Sequence, residues 1–114
     1  CEAEFSQERQ HLVKIVDLPS TTISMTIGGL EPGQSTRKHR HNYETVIYIL
    51  EGSGESIIED SIVEWTAGDA IYVPAWAWHC HSNKSAQKSL YVAAENAPLL
   101  QNLGNIALRE EEGK

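Results

Sequence analysis

The feature that most constrains the fold of this chain is a series of short, β-branched segments separated by turn residues. Residues 21–27 alternate as an extended strand does, and residues 45–50 are strongly β-branched before the chain turns at Gly52. About eight such segments lie between residues 21 and 95, with no long amphipathic helix between them. This pattern predicts an antiparallel sandwich or barrel rather than a sheet built from βαβ units.

The length of 114 residues fits one domain. Residues 1–20 are predicted to be a polar lead-in, and residues 21–96 the β domain. Residues 97–114 are predicted to be a C-terminal segment with a short helix or loop and a solvated, frayed end. The chain begins with Cys1 rather than Met, so we expect that it has been trimmed.

Charge and composition argue against two classes of function. The net charge of −7 opposes general nucleic-acid binding, which needs a basic surface. The longest apolar run, residues 46–50, is far shorter than the roughly 20 residues that a membrane-spanning helix needs. Two cysteines are too few for a disulfide framework, and the sequence shows no signal peptide, so a cytoplasmic location is expected.

Four of the five histidines lie in two tight pairs, His39-x-His41 and His79-x-His81. Side chains two residues apart on a strand point to the same face, roughly 6.6–7 Å apart along the backbone. Two imidazoles at that spacing can converge on one metal ion, with about 2.0–2.1 Å from each nitrogen to the metal. A neighbouring strand must then supply a third ligand, and His79 is the natural candidate. A single pair of this kind is weak evidence for a metal site, because such histidines are more often surface or hydrogen-bonded groups.

Glycine, proline and asparagine residues around both pairs strengthen the metal interpretation. The positions that carry this pattern are, in chain order, Gly33, His39, His41, Gly52, Gly68, Pro74, His79 and Asn83. Their spacing resembles the two gapped motifs of the cupin superfamily, in its small single-domain form. The resemblance implies an all-β, antiparallel jelly-roll barrel over residues 21–96, followed by a short C-terminal helix or loop.

The sequence departs from the cupin pattern at two positions. The family's glutamate ligand falls at Thr45, and the adjacent Glu44 should point to the opposite face of its strand unless a bulge rotates it inward. Trp76 stands where the motif has glycine, and a tryptophan adopts a positive φ only at a cost. This turn is therefore expected to be of another type or to use the tryptophan side chain. The preferred metal site is then His39, His41 and His79.

Three neutral imidazoles leave one divalent transition metal with its full formal charge of +2, which favours a small anionic substrate. Among cupins, three-histidine iron sites occur in gentisate-type and β-diketone-cleaving dioxygenases, and the segment around His39 and His41 is similar to theirs. The resemblance therefore implies Fe(II) and O₂, although imidazole ligands also accommodate Zn, Ni, Mn or Cu.

Two further side chains are candidate catalytic groups, and both have alternative interpretations. Arg37 shares the strand face of His39, so its guanidinium could hold an anionic substrate, or it could lie in solvent at the mouth. His81 shares the face of His79 and is a rim or acid–base group, or a fourth ligand. The substrate pocket is predicted to be lined by Thr45, Ile47, Ile49 and Trp76. For Trp76 the alternative is packing in the core or at a dimer contact.

The favoured function is a non-haem Fe(II) dioxygenase acting on a β-diketone or a hydroxybenzoate. The same ligands would serve a metal-dependent lyase or isomerase, in which the metal acts as a Lewis acid. A third alternative is a cupin that binds a small ligand and catalyses nothing, since fold does not determine function. A homodimer is expected because small sandwiches have sheet edges to cover.

Overall fold

The computed structural model describes residues 12–112 of the chain. Expectations about residues 1–11, including the trimmed start at Cys1, lie outside the described residues. Within residues 12–112 the structure has ten strands and one helix. They are β1 (Leu12–Val16), β2 (Ser24–Leu30), β3 (His39–His41), β4 (Thr45–Glu51), β5 (Ser53–Ile58), β6 (Ser61–Thr66), β7 (Ala70–Val73), β8 (His79–Ser82), β9 (Ser89–Glu95), α1 (Ala97–Asn102) and β10 (Arg109–Glu111).

The strands form two five-stranded antiparallel sheets, which confirms the predicted all-β jelly-roll class. The first sheet has the order β1-β2-β9-β4-β7, and the second has the order β10-β3-β8-β5-β6. Strand β4 shows the pattern of a strand with one buried face, because its side chains alternate from Thr45 to Leu50. Thr45, Ile47 and Ile49 are buried, whereas Val46 and Tyr48 are exposed.

The apolar core fills one end of the space between the sheets. It consists of Ile47, Ile49, Trp65, Ile71, Val73 and Ala93. Gly54 makes room for the large ring of Trp65, because a Cβ at this position would lie 2.4 Å from Cη2 of that ring. The other end of the sandwich, towards β1, β3 and β10, holds polar side chains around a cavity.

Both ends of the described chain are more ordered than the sequence indicated. Within the predicted lead-in, β1 pairs with β2, so it is the edge strand of the first sheet. The helix expected after residue 96 is present as α1, with Pro98 in its first turn. The predicted frayed tail instead contains β10, which pairs antiparallel with β3. No helix in the described part of the chain is long and apolar enough to cross a membrane.

Candidate metal centre

Two neighbouring strands of the second sheet bring three histidines together. His39 on β3 and His79 on β8 are directly opposite each other in the antiparallel ladder. His41 lies two residues further along β3, on the same face. The ring centroids are 4.2 Å apart for His39 and His79, and 4.9 Å apart for His41 and His79. One ring nitrogen of each histidine lies within 4.8 Å of the corresponding nitrogens of the other two.

Backbone carbonyls determine which nitrogen of each imidazole carries the proton. Nδ1 lies 2.8 Å from the carbonyl oxygen of Arg37 in His39, 2.9 Å from that of Tyr43 in His41, and 2.9 Å from that of Ala77 in His79. A carbonyl oxygen only accepts hydrogen bonds, so each Nδ1 must be the protonated donor. Each Nε2 then keeps its lone pair, which is the arrangement that a metal-binding histidine requires.

Burial keeps these imidazoles neutral. Desolvation, with the nearby His79, lowers the pKa of His39 from 6.5 to about 2. Burial likewise lowers the pKa of His79 to about 4, against the opposing effect of its hydrogen bond to Ala77. It also lowers the pKa of His41. At pH 7 the three side chains are therefore neutral imidazoles, each with a lone pair on Nε2, and the donor set fits a divalent transition metal.

No carboxylate completes the cluster among the described residues. Thr45 occupies the position of the family's glutamate, is buried, and donates a hydrogen bond of 3.3 Å to Glu95 Oε2. Glu44 is exposed, and its Oε2 accepts a hydrogen bond from the Tyr72 hydroxyl. It therefore points away from the histidines, as expected for a strand without an inward bulge.

His81 lies beside the cluster but is not one of its three members. Its ring centroid is 5.5 Å from that of His79, and its Nδ1 lies 2.6 Å from the hydroxyl oxygen of Ser56. The indole N–H of Trp65 donates to the same buried hydroxyl at 2.9 Å. His81 is thus fixed by a hydrogen-bonded chain behind it while its ring borders the cavity.

The three histidines open into a cavity of about 340 Å³ between the two sheets, a size suited to a small ligand. Of the residues predicted for the site, the cavity is lined by Arg37, His39, His41, Thr45, Ile47, His79 and His81. Ile49 is not in its lining, because this side chain is packed in the apolar core. Trp76, predicted as a pocket wall, also lies elsewhere.

Trp76 occupies the outer surface of the second sheet. Its φ is +67°, so the turn keeps the left-handed backbone conformation of the motif's glycine, and of the two expected alternatives the structure has a role for the side chain rather than another turn type. The guanidinium of Arg40 lies 4.0 Å from the centroid of the Trp76 ring and 4.6 Å from that of Trp78. These cation–π contacts are the side-chain role of Trp76, on the opposite side of the sheet from the histidines.

Three charged residues that line the cavity were missed by the sequence analysis. Glu95 faces Thr45 across the β4–β9 ladder. Arg109 and Glu111 come from β10, in the segment that the sequence indicated as frayed. Alternation along a strand separates its two faces, but it does not tell which of the two faces borders the cavity. The sequence therefore did not assign Glu95 to the site. The charged tail carried no local signal of pairing with β3.

Known proteins are similar to this chain in sequence. The family described as Cupin domain matches residues 27–94. The chain is 32% identical over 83 residues to a 5-aminosalicylate 1,2-dioxygenase from Comamonas sp., covering 73% of this chain and 22% of that protein. It is 26% identical over 84 residues to a 5-nitrosalicylic acid 1,2-dioxygenase from Bradyrhizobium sp., covering 74% of this chain and 41% of that protein. The chain therefore spans less than half the length of these curated relatives.

Solved structures give the same fold. A salicylate 1,2-dioxygenase from Pseudaminobacter salicylatoxidans superposes with a TM-score of 0.85 at 21% identity, over 92% of this chain and 32% of the other. The protein TT1209 from Thermus thermophilus superposes with a TM-score of 0.69 at 26% identity, over 75% of this chain and 82% of the other. Because the family match covers more than half of the chain and the motif histidines converge as a metal site requires, this protein belongs to the cupin family.

Proposed function

We propose that this protein is a non-haem Fe(II) dioxygenase that acts on a small anionic aromatic acid of the hydroxybenzoate class. The observation that carries the proposal is the set of three neutral imidazoles whose Nδ1 atoms all donate to backbone carbonyls. Their Nε2 lone pairs are thereby kept for a metal at the wall of a ligand-sized cavity. The curated relatives are named for dioxygenation of 5-aminosalicylate and 5-nitrosalicylic acid, which are both hydroxybenzoates.

His39, His41 and His79 would hold the iron, which when bound supplies a place where an anionic substrate and O₂ can meet. Three neutral ligands leave the site with a formal charge of +2, so a substrate phenolate or carboxylate is attracted to it. Thr45 and Ile47 border the space in which the substrate would lie. Arg37 and His81 border it too, and we assign them the orientation of the substrate.

Metal content tests the ligand assignment. Protein purified without added metal should contain close to one equivalent of iron by elemental mass spectrometry, and His79→Ala should lose it. His81→Gln is the matched control, because this histidine is on the same strand but outside the three-membered cluster. Equal metal in His79→Ala and the unaltered protein would refute the ligand set. Stoichiometric zinc, nickel, manganese or copper would move the proposal to another metal-dependent reaction.

Oxygen uptake tests the reaction. The iron-loaded protein should consume O₂ with salicylate, 5-aminosalicylate or gentisate, and His79→Ala should not. A β-diketone belongs in the same panel, because the three-histidine pattern also resembles that of β-diketone-cleaving cupins. Anaerobic turnover would favour a lyase or isomerase. Tight binding of an aromatic acid without turnover would favour a binding protein, and either result would overturn the dioxygenase proposal.

We also propose a homodimer, formed through the outer face of the first sheet. Four large side chains on β4 and β7 keep 44–52% of their surface exposed there: Val46, Tyr48, Leu50 and Tyr72. Antiparallel sheets that face water normally carry polar residues outward, and a broad apolar face indicates an interface. A patch built from these four side chains can meet the same patch of a second copy about a two-fold axis.

Light scattering after size-exclusion chromatography tests the dimer. The native chain should have the mass of a dimer, and Tyr48→Lys should shift it to the mass of a monomer. Ile62→Lys is the matched control, because this exposed residue lies on the second sheet. A monomeric native chain would contradict the dimer. The cytoplasmic location stays a prediction.

A further inference from the structure

Two arginines from different strands border the same cavity as the histidines. Arg37 precedes β3, and Arg109 begins β10. Between them lies one carboxylate, Glu111. Its Oε1 is 3.9 Å from Nη1 of Arg37, and its Oε2 is 3.4 Å from Nη2 of Arg109. One acidic side chain of the protein is therefore shared by two guanidinium groups within reach of the candidate metal centre.

We propose that Arg37 and Arg109 form a carboxylate-binding subsite, and that Glu111 occupies it as an internal competitor until a ligand carboxylate displaces its side chain. The ligand class is a small organic acid whose carboxylate is taken by the two guanidiniums. That the acid is the substrate of the metal centre rests on the proposed function. Binding of the carboxylate by the two arginines does not depend on the proposed function.

Distances support an exchangeable contact. Charge-assisted hydrogen bonds between guanidinium and carboxylate usually measure about 2.7–2.9 Å. Both contacts of Glu111 are longer than that. On the other face of the same strand, Glu110 Oε1 lies 2.9 Å from Nε and 2.8 Å from Nη2 of Arg40. Within one short strand, the inward acid is thus loosely held and the outward acid is tightly held.

The outward contacts would keep β10 in place when Glu111 moves. Arg40 is paired with Glu110 and lies over two tryptophan rings. The backbone N–H of Glu112 donates to the carbonyl of Lys38 at 3.0 Å, and the two side chains form an ion pair at 3.6 Å. Release of the Glu111 side chain therefore requires a change of rotamer and not the loss of the strand.

Charge balance favours a one-for-one exchange. The side chains of Glu111 and Arg37 are only 29% and 20% exposed, so removing negative charge from beside Arg37 has a cost. An incoming carboxylate takes the place of the Glu111 carboxylate beside both arginines. A neutral ligand of the same shape would not. The subsite should therefore distinguish benzoate from benzyl alcohol.

Calorimetric titration with benzoate tests the proposal without turnover. The protein is saturated with Zn²⁺, so a failed dioxygenase reaction cannot affect the result. Glu111→Gln should bind benzoate about tenfold more tightly than the unaltered protein, since it removes the competing charge. Glu110→Gln makes the same change of net charge on the outer face and should leave the affinity unchanged. The affinity for benzyl alcohol should not change with either substitution.

The arginines are tested in the same assay. Arg109→Gln and Arg37→Gln should each weaken benzoate binding about tenfold or more, since each removes one guanidinium from the bound carboxylate. Lys38→Gln removes an equal charge from the outer face and is the control. Arg109→Lys should recover part of the affinity, which separates loss of charge from loss of fold. Equal affinities for Glu111→Gln and Glu110→Gln, or unchanged binding by Arg109→Gln, would overturn the proposal.

Discussion

The buried neutral histidines make the stability of the metal-free protein depend on pH. Folding lowers the pKa of His39 to about 2 and that of His79 to about 4, from 6.5 in the unfolded chain. Below pH 6.5 the unfolded chain therefore binds protons that these folded side chains do not accept. The free energy of unfolding must then fall as the pH falls, and this stability is fully present only above pH 6.5.

The size of the effect follows from the shifts. One pKa unit corresponds to about 1.36 kcal/mol, and pH 5 lies 1.5 units below the unfolded value. Each of the two histidines therefore costs roughly 2 kcal/mol between pH 7 and pH 5. Together they remove about 4 kcal/mol, a large part of the 5–15 kcal/mol that stabilises a typical domain.

Urea denaturation of chelator-treated protein at pH 7 and pH 5 measures this loss. The His39→Gln and His79→Gln double variant should lose about 4 kcal/mol less than the native chain between the two pH values. Each protein is compared with itself, so a general destabilisation by the substitutions cancels. An equal loss in both proteins would refute the assignment of buried, neutral imidazoles.

Three further predictions concern the three histidines, Trp76 and Gly54. Metal binding at pH 6 should release less than one proton from the three histidines, because their pKa values are lowered, whereas three imidazoles of pKa 6.5 would release about two; titration in buffers of different ionisation enthalpy measures the number. Trp76→Gly should be about 1 kcal/mol more stable than Trp76→Ala, since both lose the ring contacts and only glycine relieves the positive φ; thermal unfolding that ranks alanine first would contradict this. Gly54→Ala should destabilise the fold by about 1–3 kcal/mol in urea, because its Cβ would meet Trp65 and the Ser82 carbonyl oxygen; an unchanged midpoint would contradict the tight packing at this site.

Local patterns predicted the parts of this protein that depend on neighbouring residues. The β-branched content of residues 45–50 predicted β4, and the side-chain period of two in a strand then places Thr45, Ile47 and Ile49 on one face. The same period placed His39 and His41 on one face. The gapped motif then supplied His79, which the ladder sets directly opposite His39. The helix after residue 96 was likewise marked by Pro98.

Tertiary pairing alone decided the remaining features of the site. The charged segment 109–111 has no apolar alternation, and it is a strand because β3 offers it an edge. That pairing brings Arg109 and Glu111 to the cavity, and the register of β4 with β9 brings Glu95 beside Thr45. Trp76 has a positive φ in the loop between β7 and β8, and its ring contacts Arg40 on β3. Sequence determined which faces carry the ligands, whereas long-range register, which no local pattern encodes, determined what surrounds them.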